Sequence, residues 1–185
     1  MKRETRTKAA RSKTLEHERE KAPTRARPMP LLALSTEERE KLIRFEHGAA
    51  ELHLKEAIAI LEWGDAPNAC IHSAYYGMYH AATGVLHIAG GVGKTKHVPR
   101  SQEHVLQHFT KLAEAAGEKG LEAAQLLNRA RSARMTADYG GVEPPDEDEV
   151  KDAVADARRF IDICIEFFAL EKLGLPAASI PHQIL

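Results

Sequence analysis

From Ser35 onward the apolar side chains recur at steps of three and four residues, the spacing of a single helix face. Leu42, Ile43, Phe45, Ala49, Leu52, Leu54, Ala57, Ile58 and Leu61 keep this step until Gly64 breaks it. The two-residue alternation of a half-buried strand is sustained nowhere, so the pattern argues against a sheet. Start signals agree with the periodicity. Ser35 followed by Glu38 is a capping-box pair, and Asp146 followed by Glu149 repeats it. Asp65 opens a second helix with Pro67 in its first turn, running through Cys70, Ala74, Met78, Ala82 and Leu86 to Gly90. Ser101 caps a third helix that ends at Gly117. A fourth covers Lys119–Tyr139 and stops at Gly140 and Gly141, and a fifth follows Pro144 and Pro145 and ends near Gly174. The expected fold class is all-α, an antiparallel up-and-down bundle of four or five helices.

The ends of the chain differ from this body. Residues 1–30 hold almost no large apolar side chains and carry ten Lys/Arg against four Glu, a net of +6. The rest carries sixteen basic and twenty-three acidic residues, a net of -7, which together give the whole-chain value of -1. A segment like the first cannot bury enough surface to offset its ordering entropy. It reads as a basic arm, either a solubilising tail or a nucleic-acid- or partner-binding segment. The division expected is an arm over residues 1–34, a bundle over 35–174 and a tail over 175–185. The acidic body argues against broad, non-specific nucleic-acid binding by its surface, leaving only the arm with the right sign for phosphate.

Cys70 and Cys164 both sit in apolar helical stretches, which suits buried core thiols in a reducing compartment. No apolar run approaches the ~20 residues a membrane span needs, and no hydrophobic region follows the basic start. The expectation is a cytoplasmic protein with no membrane association.

Four motifs bear on chemistry. The run Gly90–Thr95, GGVGKT, invites a phosphate-loop reading, but the glycine required five positions before Gly93 is Ile88, and the loop follows a helix instead of a strand. His104 and His108 are four apart, a spacing that can present two imidazoles to one metal, yet no third ligand is placed by sequence, so no metal and no cofactor are expected. His72, Tyr76 and His80 repeat every four residues on one face of the second helix, a pattern more typical of core packing. The richest feature is Asn128–Gly141. Arg131 and Arg134 share a face, and Asp138 lies four beyond Arg134. That spacing makes either a solvated ion pair or a phosphate-binding pair of guanidinium groups near a helix end.

These stretches together resemble the HEPN domain. The resemblance rests on the run Ala74–Leu86 (AYYGMYHAATGVL), on His104 before VLQHF, and on Arg134–Tyr139 (R-x-x-A-D-Y) before a proline-rich turn. It spans roughly residues 40–170. It implies a helical bundle that forms a homodimer with its motif helices facing. It also implies a small nucleotidyltransferase as partner, in a toxin–antitoxin or defence pair. Many such domains are metal-independent endoribonucleases in which an arginine holds the scissile phosphate and a histidine four to six residues later assists 2′-hydroxyl attack. Here Arg134 fits the arginine position, but Tyr139 stands where the histidine is expected, and no histidine occurs between His108 and His182. A phenol, with an ordinary pKa of ~10, is a poor base at neutral pH. Some HEPN toxins are silenced by adenylylation of a tyrosine just beyond the histidine, a site that Tyr139 matches loosely.

Three functions follow from this reading. The first is an accessory module that binds RNA, a nucleotide or a nucleotidyltransferase through Arg131, Arg134, Asp138 and Tyr139, with His104 nearby. The second is an endoribonuclease in which Arg134 acts with Tyr139 or His104 as the acid–base group. The third is a structural dimerisation protein without a ligand.

Overall fold

The computed structural model describes residues 34–89, 97–99, 101–139 and 143–168. Five helices make up the described chain: α1 (Thr36–Trp63), α2 (Pro67–Ile88), α3 (Gln102–Glu114), α4 (Glu118–Tyr139) and α5 (Glu147–Phe167). The all-α bundle expected from periodicity is the fold observed. The arm up to residue 33, the GGVGKT loop and the tail 175–185 lie outside the described residues.

Both capping boxes form. Ser35 N–H donates to Glu38 Oε2 at 2.8 Å while Glu38 N–H donates to Ser35 Oγ at 3.2 Å. Asp146 and Glu149 repeat the exchange at 3.0 and 2.8 Å. Each closed box satisfies amide donors that the first helical turn would otherwise leave without partners.

Two ends differ from the sequence reading. The cap of α2 is Ala66, not Asp65, and its side chain makes no capping bond. Pro67 at the first position has a φ that is already helical and leaves one fewer N–H to satisfy in the first turn. The third helix stops at Glu114, earlier than Gly117, because Gly117 takes a left-handed φ of 81° and turns the chain into α4. The fifth helix ends at Phe167, and residues 169–174, where its end was expected, are not among those described.

α2 is the organising element, packed against each of the other four helices. Its small residues allow this. A Cβ on Gly77 would lie 3.2 Å from the Ala50 carbonyl oxygen, so glycine lets α1 and α2 approach closely. Around this seam Leu54, Met78, Leu86, Phe109, Leu127, Phe160 and Ile161 are fully buried, with the Phe109 and Phe160 rings 5.2 Å apart. At ~25 cal/mol per Å2 of apolar surface removed from water, this core is the main stabilising term. Both cysteines belong to it. Cys70 Sγ donates to the Ala57 carbonyl at 3.1 Å, and burial pushes its pKa up to about 11. Burial alone also raises Cys164 well above the ordinary thiol value. Neither is poised to be a thiolate nucleophile. Among the described residues, no helix is long and apolar enough to cross a membrane.

Candidate functional site

Near its C-terminal end, α4 brings Arg134 against α2 and the start of α3. Only 15% of the Arg134 side chain is exposed. Its Nη2 lies 2.6 Å from Asp138 Oδ2, one helical turn further on, and its Nη1 donates to Gln102 Oε1 at 3.4 Å. The guanidinium carbon sits 5.9 Å from the centroid of the Tyr75 ring. Among the described residues, the buried Nε of Arg134 has no hydrogen-bond partner.

Gln102 knits this corner together. Its Nε2 donates to Tyr76 Oη at 2.8 Å, and its Oε1 accepts from Tyr75 Oη at 3.5 Å. Burial raises the pKa of the Tyr75 hydroxyl, while the nearby positive charges of Arg131 and Arg134 pull it down. Both arginines are therefore close enough to act electrostatically on one buried phenol. Arg131 itself is half-buried.

Asp138 has a second neighbour. Its Oδ1 lies 3.5 Å from Nδ1 of His72 on α2, and the His72 side chain is 43% exposed. A carboxylate in the last turn of a helix faces the negative end of the helix dipole, an unfavourable place for an anion. The cation of Arg134 on one oxygen, and the imidazole of His72 on the other, offset that repulsion.

From His72 a row of rings continues along α2. His72 and Tyr76 have centroids 4.7 Å apart, and His53 of α1 stacks on His80 at 5.4 Å while lying 5.7 Å from Tyr76. Each of those histidines holds a carboxylate through Nδ1: His53 to Glu56 at 2.8 Å and His80 to Glu46 at 2.7 Å. Of the repeat His72, Tyr76 and His80, Tyr76 packs partly buried against the core as expected, while His72 reaches the Arg134 corner through Asp138 and Tyr76 reaches it through Gln102.

The remaining sequence-derived candidates are placed less centrally. Tyr139 is the last residue of α4 and is 76% exposed. His104 is exposed on the first turn of α3, where its Nδ1 lies 2.8 Å from the capping hydroxyl of Ser101. It is Gln102, two residues earlier, that reaches Arg134. Sequence reasoning missed Gln102 altogether, since a glutamine at a helix start carries no periodic or motif signal. On another face of α4 runs a groove of about 760 Å3 lined by Arg129, Thr136, Glu149, Asp152 and Asp156 among others. None of Arg131, Arg134, Asp138 or Tyr139 lines it.

A family model described as the HEPN domain matches residues 47–168. The chain belongs to the HEPN family. The matched span contains the Arg134–Asp138 pair, His72, Gln102 and both tyrosines of the site. A UPF0332 protein of Thermotoga maritima is 28% identical over 136 residues, covering 74% of this chain and 93% of the relative. The HEPN match thus takes in α2 to α5 and most of α1.

Proposed function

We propose that this HEPN protein is a phosphate-recognising module that engages RNA or a nucleotide through Arg134, with Arg131 beside it and Asp138 and Tyr139 at the rim. The single observation that carries this reading is the setting of Arg134. A guanidinium that is mostly withdrawn from water is held over an aromatic ring by an amide and one carboxylate, with its Nε left without a partner. A guanidinium offers five donors in a fixed fork and binds phosphate oxygens in pairs. An ion pair serving the fold alone has no need of Arg131 alongside or of a cluster drawn from three helices.

Met135 and Tyr139, one turn apart on α4, are 43% and 76% exposed. Their apolar surface beside the site supports a homodimer in which the two α4 helices face, so that two such sites lie close to the symmetry axis. A small nucleotidyltransferase, the partner implied by the family, would be recognised at the same charged rim.

The test is binding of a fluorescent single-stranded RNA oligonucleotide and of adenosine monophosphate to the purified full chain. Saturable binding that weakens as salt is raised supports the reading. A protein that binds neither, and does not retain a co-expressed nucleotidyltransferase, leaves only the structural dimer.

A further inference from the structure

We infer that the groove between α4 and α5 is the seat of this chain's own basic arm, with the Lys/Arg-rich run at residues 2–13 laid against the acidic start of α5. Neither Arg131 nor Arg134 lines this groove, so the seat is independent of the phosphate reading.

The groove suits a cationic strand of chain. Its floor is apolar and made of short side chains: Ile71 of α2, Ala130 and Ala133 of α4, and Ala153 of α5. Alanines on both facing helices leave about 760 Å3 open along a seam that larger residues would have filled. A second hollow of about 500 Å3 shares Thr136, Pro145 and Glu149 with the first and extends it past the start of α5. Carboxylates rim the pair: Glu143, Asp146, Glu149, Asp152 and Asp156. Arg129 is the one cation lining them, and it is already taken, with Nε and Nη2 donating to Asp156 Oδ2 at 3.1 and 2.8 Å. Glu143, Asp146, Glu149 and Asp152 are left with no ion pair to a cation among the described residues. The helix dipole explains carboxylates in the first turn of α5. It does not explain Asp152 in the second turn or Glu143 ahead of the helix.

A rim of this sign repels a nucleic acid and attracts a basic peptide. The chain carries one. Residues 2–13, KRETRTKAARSK, hold six Lys/Arg against one Glu, a net of +5. Between the charges stand only Ala, Thr and Ser, which ask for no deep pocket. Lys and Arg stems can lie along the alanine floor while their heads reach the carboxylates.

The arm is also long enough. α1 and α2 run antiparallel, with Glu46 against His80 and Ala57 against Cys70. Ile71 of the groove is thus level with the C-terminal half of α1, and the arm joins α1 at its other end. The 28 residues of α1 make that distance no more than about 42 Å. Drawn out, the chain between Lys13 and Leu34 spans about 70 Å. Tethering raises the local concentration of the arm at the groove, so a contact that is weak between separate molecules is populated within one. A seated arm keeps its cations from phosphate, so the groove and any RNA compete for it.

The test is zero-length carbodiimide cross-linking of the full chain, which joins a lysine amine to a carboxylate it touches, in an equal mixture of isotopically heavy and light protein. Lys2, Lys8 and Lys13 should join Glu143, Glu149 or Asp152 within one copy, and raised salt should abolish the links. Asp152→Lys and, separately, Glu143→Lys lie at exposed positions and should leave the helical content unchanged. Each replaces an attraction by a repulsion and should make trypsin cut within residues 2–13 about 5-fold faster. Links spread evenly to the exposed carboxylates of α1 overturn the inference. Links found only between heavy and light copies overturn it too, by making the arm a bridge between molecules. Arm cleavage at the wild-type rate in both variants is the third result against it.

Discussion

Arg134 and Asp138 close to 2.6 Å across one turn of α4, at a point where both side chains are mostly withdrawn from water. The pair is an ordinary i, i+4 combination by spacing, and on an exposed helix it would contribute ~0.5 kcal/mol or less. Its setting changes that value. Once Arg134 is covered by Tyr75, Gln102 and α2, the carboxylate becomes its chief neutralising partner.

Replacing Asp138 should therefore cost more than a surface ion pair does. Asp138→Ala leaves a mostly buried guanidinium with only an amide acceptor, and should lower stability by about 1–3 kcal/mol. Urea unfolding of the two proteins measures the difference. A change of a few tenths of a kcal/mol would mean that water reaches Arg134 freely and that the site is a solvated surface.

The bundle should also weaken in mild acid. Burial lowers the pKa of His87 below 6.5, with Arg39 adding to the effect and Glu46 opposing it. The unfolded chain then takes up a proton near pH 6.5 that the folded chain refuses. The stability that His87 contributes is thus complete above that pH and is lost as the pH falls from there toward the lowered folded value. Urea midpoints between pH 7.5 and 5 should decline, and His87→Gln should flatten the decline. Identical pH profiles for the two proteins would show that His87 is protonated equally in both states.

Met135 sets the third prediction. If the α4 helices face in a homodimer, Met135→Glu puts a charge into the contact and should yield monomers in sedimentation or light scattering. The helical content should not change, because the side chain is 43% exposed in a single subunit. A dimer that tolerates the glutamate would place the interface elsewhere.

How far the sequence revealed this molecule divides along physical lines. Helices α1 and α5 were legible because their capping boxes and periodic apolar faces are local signals, complete within a few turns. Asp65 resembles a cap in sequence, whereas α2 is entered through Ala66 and Pro67, whose fixed φ suits the first turn. In the site, Arg131, Arg134 and Asp138 could be singled out, since guanidinium groups and a carboxylate at helical spacing stand out in any helix. His72 was visible as one member of a four-residue repeat, but its approach to Asp138 is a property of how α2 crosses α4. Gln102 could not be seen at all. Its role arises only because the α3 start is folded over Tyr75, Tyr76 and Arg134, and nothing in its neighbours along the chain encodes that.

Contact between Arg134 and a phosphate is tested most directly by anisotropy of a labelled single-stranded RNA against wild type, Arg134→Ala and Arg134→Lys. The wild type should bind with a dissociation constant at least about 10-fold below that of Arg134→Ala, and the lysine should restore little, because a point charge does not reproduce the two-pronged contact of a guanidinium. Equal affinity in all three proteins, with the bundle still folded, would contradict the account.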